Sequence, residues 1–317
     1  MDHPLISIVI LSYNRREELG NTLSLLRAIS YSPLEVIVVD NNSHDGSCEM
    51  VLQDFPGVTL IPLSKNIGIA GWNEGFVVAR GKYTLALDDD SAPLDGALEE
   101  AMDCMNSDPG AGVFAFHIVN RNDDPSETTA YSERPISFVG CGALIRTSLF
   151  PEIGFFSPFL FLYMHEIDFA IRVVDAGYHL LHKKSAVVVH RLASSHRDVR
   201  GAQKISARKY FYDNRNTMLI LFKYFPLRRI FLRIIRIAIG RTLHSLRCGY
   251  FGVLMKVYLS AIRALPAILR ERKIVCKETQ TIYSFGAFAG GFFFTGDYGF
   301  SRPRFLSRNP QFNRETK

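Results

Sequence analysis

Hydrophobic and polar positions follow two different patterns along this chain. Up to about residue 192, short, mostly apolar runs recur at 6–11, 34–39, 58–62, 83–87, 112–119 and 186–189, several of them closed by a polar cluster. Runs of that length, rich in Val and Ile, have the pattern of strands buried on both faces of a sheet. Helical spacing separates them. A helix opens at 14–18, with Leu19, Leu23, Leu25 and Leu26 on one side, Asn14 able to cap it and two glutamates suited to its first turn. Further helices are predicted over 47–55, 73–79 and 96–105, and another after Asp168 that Gly177 ends. Beyond residue 203 the short runs give way to long helical ones, 210–225, 227–246 and 251–269, in which Arg229, Arg233 and Arg236 recur among Ile230, Ile234, Ile235 and Ile239.

The β-α-β-α-β-α-β order of the first part predicts an α/β fold with a mostly parallel sheet and helices on both faces, over residues 1–200. A basic, amphipathic helical region over 201–317 is expected to follow. Residues 120–133 read as an exposed loop, and 138–146 as a strand interrupted by Gly140 and Gly142.

Charge sharpens that boundary. The net charge of +6 conceals 14 Lys/Arg against 26 Asp/Glu in residues 1–199, and 17 against 2 in residues 200–273. With 317 residues, 21% of them charged, the chain can bury a large core and is neither disordered nor an ordinary polytopic membrane protein. Its five cysteines are scattered, with no Cys-x-x-Cys pair, so neither a disulfide framework nor a zinc cluster is indicated and a reducing, cytosolic setting fits. The apolar run at 6–11 follows Asp2 without a basic leader, unlike a secretory signal peptide.

Candidate chemistry sits where strands end, because α/β sheets bind ligands at the carboxyl edge of their strands. Three clusters qualify: Ser12-Tyr13-Asn14-Arg15, Asp40-Asn41-Asn42-Ser43, and Asp88-Asp89-Asp90. The three adjacent carboxylates read either as a solvated acidic turn or as a site for a metal ion and nucleotide phosphates. Between these clusters lies a glycine-rich loop from Lys65 to Gly75. Its Asn66, Gly71 and Asn73 precede or open a helix, where close backbone approach and a helix N-terminus suit a phosphate, although the Gly-Lys-Ser/Thr ending of a Walker A loop is missing. Further on, an aromatic run ends in His165-Glu166-Ile167-Asp168. A carboxylate beside so much apolar surface tends towards the pKa of a useful base, and capping by Asp168 is the structural alternative. His190 closes the last strand and, taken alone, reads as structural.

In this order the motifs resemble the family 2 inverting glycosyltransferases with the GT-A fold, and among them the rhamnosyltransferase-type enzymes of bacterial surface polysaccharide assembly. The resemblance covers residues 5–192. It rests on Ser12-Tyr13-Asn14-Arg15, Asp40-Asn-Asn-Ser, Asn66-x-Gly-x-x-Gly71-x-Asn73, Asp88-Asp-Asp90, Gly140-x-Gly142, His165-Glu166-x-Asp168-x-x-x-Arg172 and Val189-His190. It implies a nucleoside-diphosphate sugar donor held by Ser12, Tyr13, Asn14, Arg15 and Asp40, with Asn66, Gly71 and Asn73 as further donor contacts. It also implies Mg²⁺ or Mn²⁺ on Asp90, with Asp88 near the ribose or the metal and His190 as another metal or phosphate contact. Glu166 aligns with the acid that deprotonates the acceptor hydroxyl, and Asp168 is its rival. The sequence departs from the family at His165-Glu166, where Glu-Asp is usual, and at Trp72-Asn73, where two asparagines are common.

The basic region suits an anionic membrane surface, and its arginine content is expected to be too high for a transmembrane span. The uncharged run 279–296 reads as an interfacial or packed segment. Aromatics among the arginines could serve nucleic acid, but no recognition motif accompanies them and the acidic first part would repel phosphate, so no nucleic acid partner is expected. The expected activity is transfer of a sugar to a lipid-linked saccharide acceptor by a cytoplasmic enzyme attached to the inner face of the membrane. A nucleotidyltransferase and a non-catalytic sugar-nucleotide binder are the alternatives.

Overall fold

A computed structural model describes residues 3–120, 135–191 and 206–283. It divides into two compact units, Met1–Ile205 and Ser206–Lys317.

The first unit is built on one eight-stranded sheet. Its strands are β1 (Ile6–Ser12), β2 (Leu34–Asp40), β3 (Thr59–Pro62), β4 (Tyr83–Asp88), β5 (Ser91–Pro93), β6 (Ala111–Asn120), β7 (Ala143–Arg146) and β8 (His179–His190). The spatial order is β3-β2-β1-β4-β7-β6-β8-β5. One half, β3-β2-β1-β4, is parallel throughout. β7 runs antiparallel to both β4 and β6, β8 is parallel to β6, and β5 pairs antiparallel with β8. Because helices cover both faces of the parallel half, β1 buries nearly every residue, which is why its sequence is a continuous apolar run rather than an alternating one.

Helices α1 (Arg16–Arg27), α2 (Ser47–Asp54), α3 (Gly71–Val78), α4 (Ala97–Ser107), α5 (Leu149–Ile153) and α6 (His165–Asp175) connect these strands. Two expectations about α1 are corrected. It starts at Arg16, with no side-chain cap. Asn14, at φ +52°, instead accepts from the His44 N–H through Oδ1 (2.8 Å) and ties the end of β1 to the end of β2. Leu25 is exposed, and the buried face is Leu19, Thr22, Leu23 and Leu26. The interrupted strand expected at 138–146 is shorter, since Gly142 N donates to Val139 O (3.1 Å) and makes a turn before β7. Most of the loop expected at 120–133 lies outside the described residues.

The second unit is helical: α7 (Ala207–Tyr224), α8 (Leu227–Cys248), α9 (Phe251–Arg270) and α10 (Lys277–Ile282). Ser206 caps α7 by accepting from Lys209 N (3.1 Å). Pro226 separates α7 from α8, and Gly249 at φ +75° ends α8 in the left-handed conformation that glycine adopts freely. α9 packs chiefly against α7, and Tyr210 stacks on Tyr250 at 5.0 Å. The expectation that this region is too charged to cross a bilayer is corrected for α9, which is long and apolar enough to do so by length and composition, with 22% of its apolar window buried within the protein. Of the run 279–296, residues beyond Tyr283 lie outside the described residues.

Candidate active site

The sheet register brings the strand-end clusters together. Ser12 pairs with Asp40 across β1 and β2, Leu11 with Asp88 across β1 and β4, and Ser91 with His190 across β5 and β8. Ser12, Asp40, Asp88, Asp90 and His190 therefore share one edge.

At the β1–β2 end, Asp40 accepts from Ser43 N through Oδ1 (2.8 Å). Its Oδ2 and the Ser12 Oγ are buried without a hydrogen-bond partner among the described residues. Leaving two such groups unsatisfied is costly unless a ligand completes them. Tyr13 beside them is 45% exposed, so its ring is free to cover a ligand. Burial, and then the neighbouring Asp40, push the Cys48 thiol up to about 11, so it stays protonated.

The acidic cluster is a mutual ion-pair network rather than a solvated turn. Arg15 Nη1 lies 2.5 Å from Asp90 Oδ2 and 3.1 Å from Asp89 Oδ1. His190 Nε2 lies 3.0 Å from Asp90 Oδ1 and 3.9 Å from Asp88 Oδ2. Burial works against ionisation of Asp90, but His190 and Arg15 outweigh it and hold that carboxyl at about 2. Asp89 goes the other way. Burial, only partly offset by Arg15, raises it to about 6, while its main-chain oxygen accepts from Thr22 Oγ1 (2.7 Å). Although 39% of the Asp88 side chain remains open, the surrounding protein mass pushes its carboxyl up, and the charges of Asp90 and Glu166 add to that rise while His190 opposes it. Burial disfavours the His190 cation, yet contact with Asp90 raises its pKa.

These residues fit a divalent ion. The carboxylate oxygens of Asp88 and Asp90 are donors of the kind that bind Mg²⁺ or Mn²⁺, with the ring nitrogen of His190 beside them, and the charge of Asp90, which adds to the burial that raises Asp88, is one that a cation would offset. Cys141 Sγ, Asp88 and His190 each offer a ligand atom within 4.8 Å of one another. Sequence reasoning passed over Cys141, because a cysteine remote in sequence from Asp88 carries no local signal of its position. Arg15, expected on the nucleotide, is engaged with Asp89 and Asp90.

The glycine-rich loop is held by Asn41, a member of the Asp40 cluster, whose Oδ1 accepts from Ile67 N (2.9 Å) and whose Nδ2 donates to Gly68 O (3.1 Å). Three residues expected to contact the donor also have structural parts. Asn66 Oδ1 accepts from Gly68 N (2.9 Å) within the turn. Gly71 lets α3 pack on β1, since a Cβ there would come within 2.5 Å of Leu11 Cδ1. Asn73 spends both side-chain groups on the Phe156 backbone, donating at 2.8 Å and accepting at 3.0 Å.

Facing the acids is the first turn of α6. Glu166 is partly exposed (22%) and close enough to act on the charge of Asp88. His165 is buried against Trp72 and Phe156, with Nδ1 3.2 Å from Glu166 Oε2, and burial lowers its pKa so that it is neutral. Gly140 makes room for this pair: a Cβ there would lie 2.7 Å from His165 Nε2 and 3.3 Å from Glu166 Oε1. Asp168, the expected rival base, does not cap α6, whose N-cap is Met164, and is paired with Arg172. It is 1% exposed and accepts from Arg172 Nη2 at 2.7 Å, while the same guanidinium donates to Ile153 O, Gly154 O and Phe155 O. The segment before α6 holds Phe161, Tyr163 and Met164 at positive φ, a concentration of strain of the sort found at functional sites.

Residues 7–170 match Glycosyl transferase family 2. The N-acetylglucosaminyl-diphospho-decaprenol L-rhamnosyltransferase of Mycobacterium tuberculosis (strain H37Rv) is 24% identical over 239 residues, covering 60% of this chain and 77% of the relative. Among solved structures, the mannosyltransferase PcManGT from Pyrobaculum calidifontis aligns with a TM-score of 0.52 and 19% identity over 85% of this chain and 74% of its own. Staphylococcus aureus TarS aligns at 0.54 and 15%, over 68% and 38% respectively. These likenesses agree with the mixed sheet above in showing a GT-A-type fold.

Proposed function

We propose, from the premise that this chain belongs to glycosyl transferase family 2 and resembles its rhamnosyltransferases, that it moves a sugar from a nucleoside-diphosphate sugar to a hydroxyl of a lipid-linked saccharide, with inversion. The observation that carries the reading is the convergence on one sheet edge of two orphaned polar groups (Ser12 Oγ and Asp40 Oδ2) and the Asp88–Asp90–His190 cluster, with the partly exposed Glu166 of α6 near Asp88. Asp40 and Ser12 accept hydrogen bonds from the donor base, which satisfies both orphans. Asp88, Asp90 and His190 hold Mg²⁺ or Mn²⁺. The ion supplies charge neutralisation on the departing diphosphate.

Glu166 takes the proton of the acceptor hydroxyl. The freed oxygen attacks the anomeric carbon from the face opposite the diphosphate, and the bond to the diphosphate breaks as the new glycosidic bond forms. Neutral His165 adds no charge beside Glu166 and therefore does not weaken it as a base. A lipid-linked acceptor is supported by the name of the mycobacterial relative and by the composition of α8 and α9, which carry nine Arg or Lys between Leu227 and Arg270 and no Asp or Glu. The enzyme would accordingly work on the cytoplasmic side, attached to an anionic membrane face.

A thermal-shift panel of UDP-, GDP- and dTDP-sugars with and without Mn²⁺ tests the donor half, since a ligand bound only by the folded state raises the melting temperature. The reading predicts that one base family stabilises the protein and that Mn²⁺ enhances the effect. No stabilisation by any nucleotide sugar would overturn it.

A further inference from the structure

The proposed transfer leaves Cys141 without a role. Its side chain is 2% exposed, and its Sγ shares a 4.8 Å cluster with Asp88 and His190. The thiol is held there by its neighbours. Gly142 N closes a turn on Val139 O at 3.1 Å, and a Cβ at Gly140 or Gly142 would come within 2.7 Å of His165 Nε2 or 2.5 Å of Ile118 Cδ1. The backbone on either side of Cys141 is packed as closely as glycine allows, which fixes where its Cβ starts relative to the acids.

One carboxylate oxygen, one imidazole nitrogen and one sulfur are a poor match for Mg²⁺, which demands a near-octahedral oxygen shell, and a good match for a borderline ion such as Zn²⁺. A tetrahedral ion about 2.0–2.3 Å from each ligand spaces its donors at roughly 3.3–3.8 Å, so small side-chain rotations close the set.

We propose that Asp88, Cys141 and His190 form a thiophilic divalent-metal site, in which Zn²⁺-class ions bind through the Cys141 sulfur and compete with the hard ion of the donor diphosphate. Binding breaks the Cys141 S–H bond, releases the proton to solvent and forms a metal–sulfur bond, with no change of oxidation state. The fourth position of the ion is left for water or a phosphate oxygen. Only the competition rests on the proposed transferase reading; the metal site stands on its own geometry.

Co²⁺ titration of the full chain tests this, because cobalt bound to a thiolate shows a near-ultraviolet charge-transfer band. The band should appear, saturate at one equivalent and be abolished by Zn²⁺. Cys141→Ser should remove it and weaken Co²⁺ binding by about tenfold or more, while Mn²⁺ affinity, read by electron paramagnetic resonance, changes less than Co²⁺ affinity. Cys276→Ser, at an exposed thiol, should keep the band. Absence of the band from the native chain, or its persistence in Cys141→Ser, overturns the site. Should Cys141→Ser fail to fold, Asp88→Asn and His190→Gln decide: each must weaken the band, and a band unchanged in either overturns the site. Sugar transfer with Mn²⁺ is measured in parallel, so a chain that shows the band but transfers nothing sinks the transferase reading and leaves the metal site intact.

Discussion

Arg15 and Asp90 are joined at 2.5 Å, Nη1 to Oδ2, across the ends of β1 and β4, and the same nitrogen reaches Asp89. The pair makes one cation responsible for two buried carboxylates. Arg15→Gln leaves both without it, and breaking a fully buried pair costs about 3–5 kcal/mol. Because 37% of the Arg15 side chain is exposed, solvent screens the interaction and the expected loss is roughly 1–2 kcal/mol. Urea unfolding should show this loss, and saturating Mn²⁺ should recover part of it by supplying the missing positive charge. Equal losses with and without Mn²⁺ would mean that Arg15 and the ion do not act on the same acids.

Glu166 and Asp168 are two residues apart and meet different surroundings. Glu166→Gln should leave donor binding and stability near those of the native chain while transfer collapses, because general bases contribute about 10²–10⁴-fold. Asp168→Asn should instead lower stability by roughly 1–3 kcal/mol, since Arg172 loses its buried carboxylate but keeps four carbonyl acceptors. Steady-state kinetics beside chemical denaturation separates the two. If Asp168→Asn abolishes transfer in a fully stable protein, the assignment of the base is wrong.

The strand ends of this site are legible in the hydrophobic pattern of the chain. Residues 6–11 and 83–87 are mostly apolar because the sheet buries both their faces, and a polar residue ending such a run has only the sheet edge to occupy. Hence Ser12, Asp40 and Asp88 can be placed at that edge from their positions alone. What each side chain does there cannot, because it depends on partners remote in sequence. Asn73 is occupied by the backbone of Phe156, Arg15 by Asp89 and Asp90, and Asn41 by Ile67 and Gly68. The i to i+4 pairing of Asp168 with Arg172 lies within reach of helical spacing. Its burial does not, since that depends on α6 packing against the rest of the sheet.

Gly68 is held at φ +64°, and a Cβ there would come within 2.0 Å of Phe161 O, the carbonyl that accepts from Ile69 N at 2.9 Å. Gly68→Ala therefore adds left-handed strain to a clash with rigid backbone, about 2–4 kcal/mol together. The displaced segment leads directly into His165 and Glu166, so activity should fall further than stability alone explains. Kinetics measured well below the unfolding transition checks this, and unchanged kcat would show that the loop and the base are not coupled.

His182 on β8 is buried beside His117, with ring centroids 5.6 Å apart, and burial followed by the His117 charge lowers its pKa to about 4. The unfolded chain takes up this proton near pH 6.5 and the folded chain only near pH 4, so stability falls with pH between those values and is independent of this group below about 4. The full effect is on the order of 3 kcal/mol. The difference in unfolding free energy between the native chain and His182→Gln, followed from pH 7 to 4, should change by about that amount. A difference that stays flat across the range would place the neutral histidine elsewhere.

The last expectation concerns the second unit. Phe231, Leu232, Ile235 and Ile239 on α8, and Met255, Leu259 and Ile262 on α9, are exposed to between 40% and 71%. The 44 residues that contain them carry nine cations and no acid. Each such apolar side chain moved from water into lipid contributes about 1.5–3 kcal/mol, and each cation near an anionic surface about 1 kcal/mol. Two terms of different physical origin should therefore be separable by co-sedimentation with vesicles. Phe231→Ser with Leu232→Ser and Ile262→Ser should weaken binding at every salt concentration, because the apolar term is not screened. Neutralising Arg236, Arg247 and Arg263 with glutamine should weaken binding to anionic vesicles at low salt and make little difference at high salt, where screening has already removed the electrostatic term. Equal binding of the native chain to neutral and anionic vesicles would remove the electrostatic half of the argument, and a serine variant that sediments as well as the native chain would remove the apolar half.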